Sequence, residues 1–299
     1  MPKAKANELE LHYEEHGDPA APAMLLIMGV GAQLTLWPIE LIEALASEGF
    51  RVIRFDNRDI GLSQKLDHIG LPNLPAMIVK SKLRLPVSSP YSLGDMADDA
   101  IGLLDALEID RAHVIGASMG GMIAQQVALR HAERALSLTS IMSTTGSRSV
   151  PAARRDAIKA LTTRPATTDV DALVEHGVMV SEAIGSPGYP GDPDRVRSRV
   201  RENIERSVYP DGFVRQMAAI IADGDRSRAL AKVDIPTLVL HGEDDPLVRL
   251  EGGKHTAASI PNAVLKTYPG MGHDFPLELI DSIAAEIADH ARSAEAVGR

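Results

Sequence analysis

The stretch Val114-Ile115-Gly116-Ala117-Ser118-Met119-Gly120-Gly121 places G-x-S-x-G between a β-branched run and a helix-forming one. A serine in that setting sits on a sharp strand-to-helix turn. Side chains two positions before and after it would strike neighbouring backbone. The turn lifts the hydroxyl above a sheet and leaves the next backbone N–H, that of Met119, aimed at a substrate oxygen. A glycine-rich turn that merely packs tightly has the same letters. The buried strand before it and Met122-Ile123-Ala124 after it favour the elbow.

Outward from Ser118, short apolar runs alternate with amphipathic stretches. That is the α/β pattern of a mostly parallel sheet with helices on both faces. Residues 9–13 are predicted to open an antiparallel edge hairpin. Residues 24–28, 52–55, 113–115, 136–141, 237–240 and 264–268 are predicted buried strands. A helix is predicted over 93–107, where Ser92 and Asp95 form a capping-box pattern, and another over 119–131.

The strand pattern stops near Ser143 and resumes near Ile235. Between them, residues 154–161, 170–184, 194–208 and 213–222 carry helical spacing, interrupted by Pro187, Gly188, Pro190, Gly191 and Pro193. Residues 1–143 and 234–299 therefore read as one core, with a helical cap inserted over 144–233. An independent second domain is the alternative, and the return of the strand pattern weighs against it. A further irregular stretch, 64–91, holds four prolines and a helical pattern over 76–83. Together with the cap it is expected to shape a pocket, as long loops often do.

A serine hydroxyl is a poor nucleophile at neutral pH, so a base must take its proton during attack. In strand–elbow–helix proteins the partners follow as serine, acid, histidine. Here the strand at 237–240 runs into His241-Gly242-Glu243-Asp244-Asp245-Pro246, and the next strand runs into Gly270-Met271-Gly272-His273. Asp245 is chosen over Asp244, which is expected to face solvent or, with Glu243, to be simply a turn residue. Asp245 would orient His273, and His273 would serve Ser118 as general base. His241 and His113 are expected to be packing residues.

Two backbone donors are needed for an oxyanion. Met119 would supply one and Val30 the other, from Met28-Gly29-Val30-Gly31-Ala32-Gln33, where the glycines permit close approach. Gly29 and Trp37 are the candidate substrate contacts, although packing is the commoner fate of a lone tryptophan.

With 31 basic and 41 acidic side chains the formal charge is -10, which gives nucleic acid or an anionic membrane no overall attraction. The absence of cysteine excludes disulfides and thiol chemistry. No secretory pattern opens the chain, and its longest apolar run is about half of a membrane span. A cytoplasmic protein without membrane insertion is expected, as a monomer or homodimer, with no metal or organic cofactor.

The elbow, the Gly242–Val248 turn and the Gly-Met-Gly-His loop resemble the α/β-hydrolase family across nearly the whole chain. So does Arg54-Phe55-Asp56-Asn57-Arg58-Asp59-Ile60-Gly61-Leu62-Ser63, a loop that is generally a structural support in that family. With Leu25-Leu26-Ile27-Met28-Gly29-Val30-Gly31, the chain most resembles the aclacinomycin methylesterase and mycobacterial lipase/esterase branch. The resemblance implies a capped esterase for small to medium apolar esters, working through an acyl-enzyme. Many members carry a histidine where Met28 stands, so a hydrogen bond from that side chain is missing here. Thioester, lactone or carbon–carbon bond hydrolysis and perhydrolysis are alternatives on the same residues. A ligand-binding protein without turnover is the alternative from another class.

Overall fold

The computed structural model describes residues 2–163, 165 and 167–297. Its strands are β1 Lys3–Ala6, β2 Leu9–His16, β3 Ala23–Ile27, β4 Arg51–Phe55, β5 Ala112–Ala117, β6 Ala135–Ile141, β7 Thr237–Gly242 and β8 Val264–Tyr268. They form a single sheet in the order β1-β2-β4-β3-β5-β6-β7-β8. β1 and β2 make the antiparallel edge, and every later pairing from β4 to β8 is parallel. The expected hairpin is present, but its first strand is Lys3–Ala6, which turns at Asn7 with φ 55°.

β3 is buried along its whole length because both faces of the sheet are covered. Its alternating side chains divide between two cores. Leu25 and Ile27 join one with helices α3 (Leu93–Ala106) and α4 (Met119–Arg130). Met24 and Leu26 join the other, with α1 (Ile39–Ser47) and α11 (Ile280–Val297). The predicted start of α3 is exact in its chemistry: Ser92 accepts from the Asp95 N–H, and the Asp95 carboxylate accepts in return from the Ser92 N–H.

The remaining helices are α2 (Leu74–Lys82), then α5 (Arg155–Thr162), α6 (Val170–Ile184), α7 (Pro193–Arg206), α8 (Pro210–Asp223) and the short α9 (Ser227–Leu230) between β6 and β7, and α10 (Leu250–Ser259) between β7 and β8. No helix among the described residues is long and apolar enough to cross a membrane.

Two buried ion pairs tie the loop after β4 to the β6–β7 insertion. Asp59 receives Arg215 of α8 on both oxygens, at 2.5 and 3.0 Å, and both side chains are shut off from water. Asp56 faces Arg206 of α7 at 2.8 Å. Gly61 is required between them, since its φ is +58° and a Cβ would sit 2.1 Å from the Asp56 carboxylate.

Burial holds the His113, His241 and His290 imidazoles below the ordinary histidine value of 6.5. The unfolded chain therefore binds protons that the folded chain refuses. Their neutral burial is compatible with full stability above about pH 6.5, and stability falls as pH drops below that value. Urea unfolding is expected to show a lower midpoint at pH 5.5 than at pH 7.5 with little change in slope. An unchanged midpoint would contradict this assignment.

Candidate active site

The loops that follow β3, β5, β7 and β8 all emerge at the carboxyl end of the parallel strands, where α/β sheets hold their ligands. Ser118 caps α4 in the left-handed half of backbone space, at φ 57° and ψ −122°. A conformation of that kind costs a non-glycine residue about 1–3 kcal/mol. It persists because the surroundings leave the chain no other path. A Cβ on Gly116 would lie 2.1 Å from the Gly120 carbonyl oxygen, and one on Gly120 would lie 1.9 Å from that of Ile27. The Ser118 carbonyl accepts from Ser143 Oγ at 2.7 Å, which fixes the turn from below.

Ser118, His273 and Asp245 meet. The His273 Nδ1 is 2.7 Å from Asp245 Oδ2, and its Nε2 is 3.0 Å from Ser118 Oγ. An ionised carboxylate cannot donate, so Nδ1 carries the proton and Nε2 is left to accept from the hydroxyl. Asp245 is buried, and its other oxygen accepts the backbone N–H groups of Leu247 and Val248, each at 2.8 Å. Those two donors fix the carboxylate plane and so fix the imidazole.

Asp244 does not simply face solvent. Its carboxylate accepts the Gly270 N–H at 3.0 Å, bracing the loop that carries His273. His241 is buried behind the acid and donates from Nε2 to the Val248 carbonyl at 2.7 Å, a packing role as expected. His113 also packs, with Nδ1 at 2.9 Å from Ser137 Oγ.

Gly29 lies over Ser118: a Cβ there would stand 3.1 Å from Ser118 Cβ and 3.5 Å from its Oγ. Among the described residues, neither the Val30 nor the Met119 backbone N–H finds a hydrogen-bond acceptor. Met28 leaves the loop without a histidine, and three other side chains hold it. Asn57 Nδ2 donates to the Met28 carbonyl at 2.9 Å, Asp56 accepts from Leu34 N–H at 2.8 Å, and Gln216 of α8 accepts from Gly31 N–H at 2.8 Å. Asn57 and Asp56 stood in a loop already singled out in the sequence. Gln216 gave no signal there, since its contact spans 185 residues.

Trp37 is corrected. It is fully enclosed in the core beneath α1, with its ring 5.2 Å from that of Phe275, and has no surface to offer a substrate. Burying so large an apolar ring outweighs leaving it at a pocket wall. The expectation for 64–91 is also corrected: α2 turns outward, with only Met77 buried. A groove of about 330 Å³ instead opens beside the Val30 loop, walled by Gly31, Leu36, Ile204, Val208, Tyr209 and Phe213. A larger hollow of about 530 Å³ is lined by Asp98, Arg130 and His131. It lies beyond the far end of α4, roughly 18 Å along the helix from Ser118.

The β6–β7 insertion also grips the histidine loop. Ile184 O accepts the His273 N–H at 2.7 Å, Ser186 Oγ accepts the Gly272 N–H at 2.8 Å, and Ser186 Oγ donates to Asp274. Burial raises the Asp274 carboxyl above the usual carboxylate range. These contacts were invisible in the sequence, because nothing local marks a proline-rich turn as the partner of a loop 86 residues away.

A family model of the alpha/beta hydrolase fold matches residues 22–278. The chain belongs to the alpha/beta hydrolase family. Among its relatives, the hydrolase is 30% identical to rhodomycin D methylesterase of Streptomyces sp. (strain C5), over 96% of this chain and 97% of that one. It is 28% identical to a putative carbamate hydrolase of Caulobacter sp. (strain K31), over 93% and 94%. Among solved structures it is similar in fold to a meta-cleavage product hydrolase from Pseudomonas fluorescens IP01, with a TM-score of 0.76 at 22% identity over 98% of both chains.

Proposed function

We propose that this hydrolase is a serine esterase that cleaves small to medium apolar carboxylic esters through an acyl-enzyme. The observation that carries the reading is the continuous relay Asp245–His273–Ser118, with links of 2.7 and 3.0 Å. Ser118 Oγ attacks the ester carbonyl carbon while His273 Nε2 takes its proton. Asp245 stabilises the resulting imidazolium without becoming protonated. The free N–H groups of Val30 and Met119 receive the negative oxygen, a contribution typically worth about 10²–10³-fold in rate for each donor. The imidazolium then protonates the departing alkoxide, and water repeats the sequence on the acyl-enzyme.

Ester cleavage is preferred over the other acyl chemistries because two features agree. The similarity to a methylesterase runs over almost the entire length of both chains. The groove beside Gly31 is mainly apolar, walled by Leu36, Ile204, Val208 and Phe213 with Gln33, His176 and Asn203 among them, which suits a largely uncharged organic body attached to the ester. The helical insertion over 144–233 is assigned as the cap that closes this groove, since α6, α7, α8 and the turn between α7 and α8 together supply most of its wall.

An active-site fluorophosphonate is expected to label wild-type protein at neutral pH on the peptide that contains Ser118. Hydrolysis of p-nitrophenyl esters graded in chain length is expected to exceed that of matched thioesters and lactones. Absence of label would favour a binding protein without turnover. Label with faster lactone or thioester cleavage would keep the nucleophile and replace the substrate class.

A further inference from the structure

We propose that α2 and the turns flanking it form a surface that docks on anionic phospholipid bilayers. Between His68 and Gly94 the chain has no acidic residue, while Lys80, Lys82 and Arg84 add three cations, in a protein whose formal charge is -10. Arg148 joins them, exposed and bonded to the Ser81 carbonyl at the end of the helix. Five large apolar side chains share the same segment and face water: Leu71 (56% exposed), Ile78 (43%), Val79 (56%), Leu83 (65%) and Leu85 (52%). Met77 is the only residue of α2 that is buried.

A helix with isoleucine, valine and leucine exposed at this density has no role in either core. Apolar patches of this kind on a folded protein mark contact surfaces. The local charge decides which contact. A two-fold pairing with a second copy would set like cations against like cations. An anionic headgroup layer meets the cations with opposite charge and takes the apolar side chains into its acyl boundary. A fluid interface also conforms to a helix exposed on nearly every side. The negative net charge does not veto docking, because fields are screened within about 8 Å at physiological ionic strength and the lipid sees this face first. Docking here would bring the membrane to the outer side of α2, which packs on α8, the helix that carries Phe213 of the groove.

The test is co-sedimentation of the full chain with vesicles of equimolar phosphatidylglycerol and phosphatidylcholine, beside vesicles of phosphatidylcholine alone. Wild type is expected to sediment with the anionic vesicles at low salt, weakly with the neutral ones, and to be released near 0.5 M salt. The variant K80E/K82E/R84E is expected to bind on the order of 100-fold more weakly. The variant I78S/V79S/L83S is expected to bind at least about tenfold more weakly at unchanged charge. All six changes are at exposed positions, and thermal melting followed by circular dichroism checks that both variants fold. The proposal is overturned if wild type stays in the supernatant with anionic vesicles or binds both vesicle types equally. It is also overturned if either folded variant sediments like wild type. Light scattering that shows a dimer dissolved by both variants, without vesicle binding, would give the face to a second copy and overturn it as well.

Discussion

Ser118→Ala is expected to lower kcat/KM for a p-nitrophenyl ester by on the order of 10⁴-fold or more, with the melting temperature little changed. The alanine occupies the same strained backbone position, so the fold loses only a hydroxyl whose partner is His273 Nε2 at 3.0 Å. His273→Ala should fall to a similar level, and the double variant should fall no further, because the two groups act as one unit. Asp245→Asn separates orientation from folding. Its side-chain oxygen can still accept from Leu247 and Val248, but an amide now faces His273 Nδ1 where a carboxylate did. The imidazole then presents the wrong tautomer to the serine, and a loss of about 10⁴-fold in kcat is expected with intact near-ultraviolet dichroism. Retention of more than about a tenth of wild-type activity in any of the three would remove the relay from the mechanism.

The second large effect is on stability. Arg215→Met should destabilise the protein by about 3–5 kcal/mol, because it strands Asp59 in a site shut off from water. The Tyr91 hydroxyl at 3.2 Å and the Leu66 N–H at 2.9 Å still donate to Asp59, so the carboxylate keeps some support but no countercharge. Asp59→Asn combined with Arg215→Met should recover part of that loss, since neither charge is then buried alone. Urea titrations of the single and double variants measure the coupling directly. Additive losses across the cycle would mean that the pair contributes nothing beyond its separate contacts. The position of the pair makes the outcome functional as well, since α8 also carries Gln216, whose side chain holds Gly31.

Much of this architecture is legible in the amino-acid order, for reasons that are steric and periodic. A strand buried on both faces must be apolar throughout, which is why 24–28 and 237–240 stand out, and the elbow must have small residues where backbone crosses backbone. The order serine, acid, histidine carries over because each residue sits in a loop at the same end of the sheet. What stays hidden depends on contacts between distant segments. α10 opens Leu250-Glu251-Gly252-Gly253, a poor helix sequence. Gly253 is there because a Cβ would come within 2.5 Å of the His241 ring. β1 is too short to declare itself and is strand only through its pairing with Leu9–Glu10-Leu11-His12. Trp37 could not be placed from its neighbours, and Asp244 could not be separated from solvent without seeing Gly270 come back to it.

The grip of the inserted helices on both the Val30 loop and the histidine loop limits how this enzyme can be re-engineered. Exchanging residues 144–233 for the corresponding segment of another hydrolase would change the pocket wall, but it would also remove the amide oxygen that holds Gly31 N–H and the carbonyl that holds His273 N–H. A chimera has to bring equivalents of Gln216 and Ile184 at the same two points. Under the proposed mechanism, selectivity and turnover in this scaffold are therefore not independent modules, and a graft chosen for shape alone would detune the chemistry it was meant to redirect.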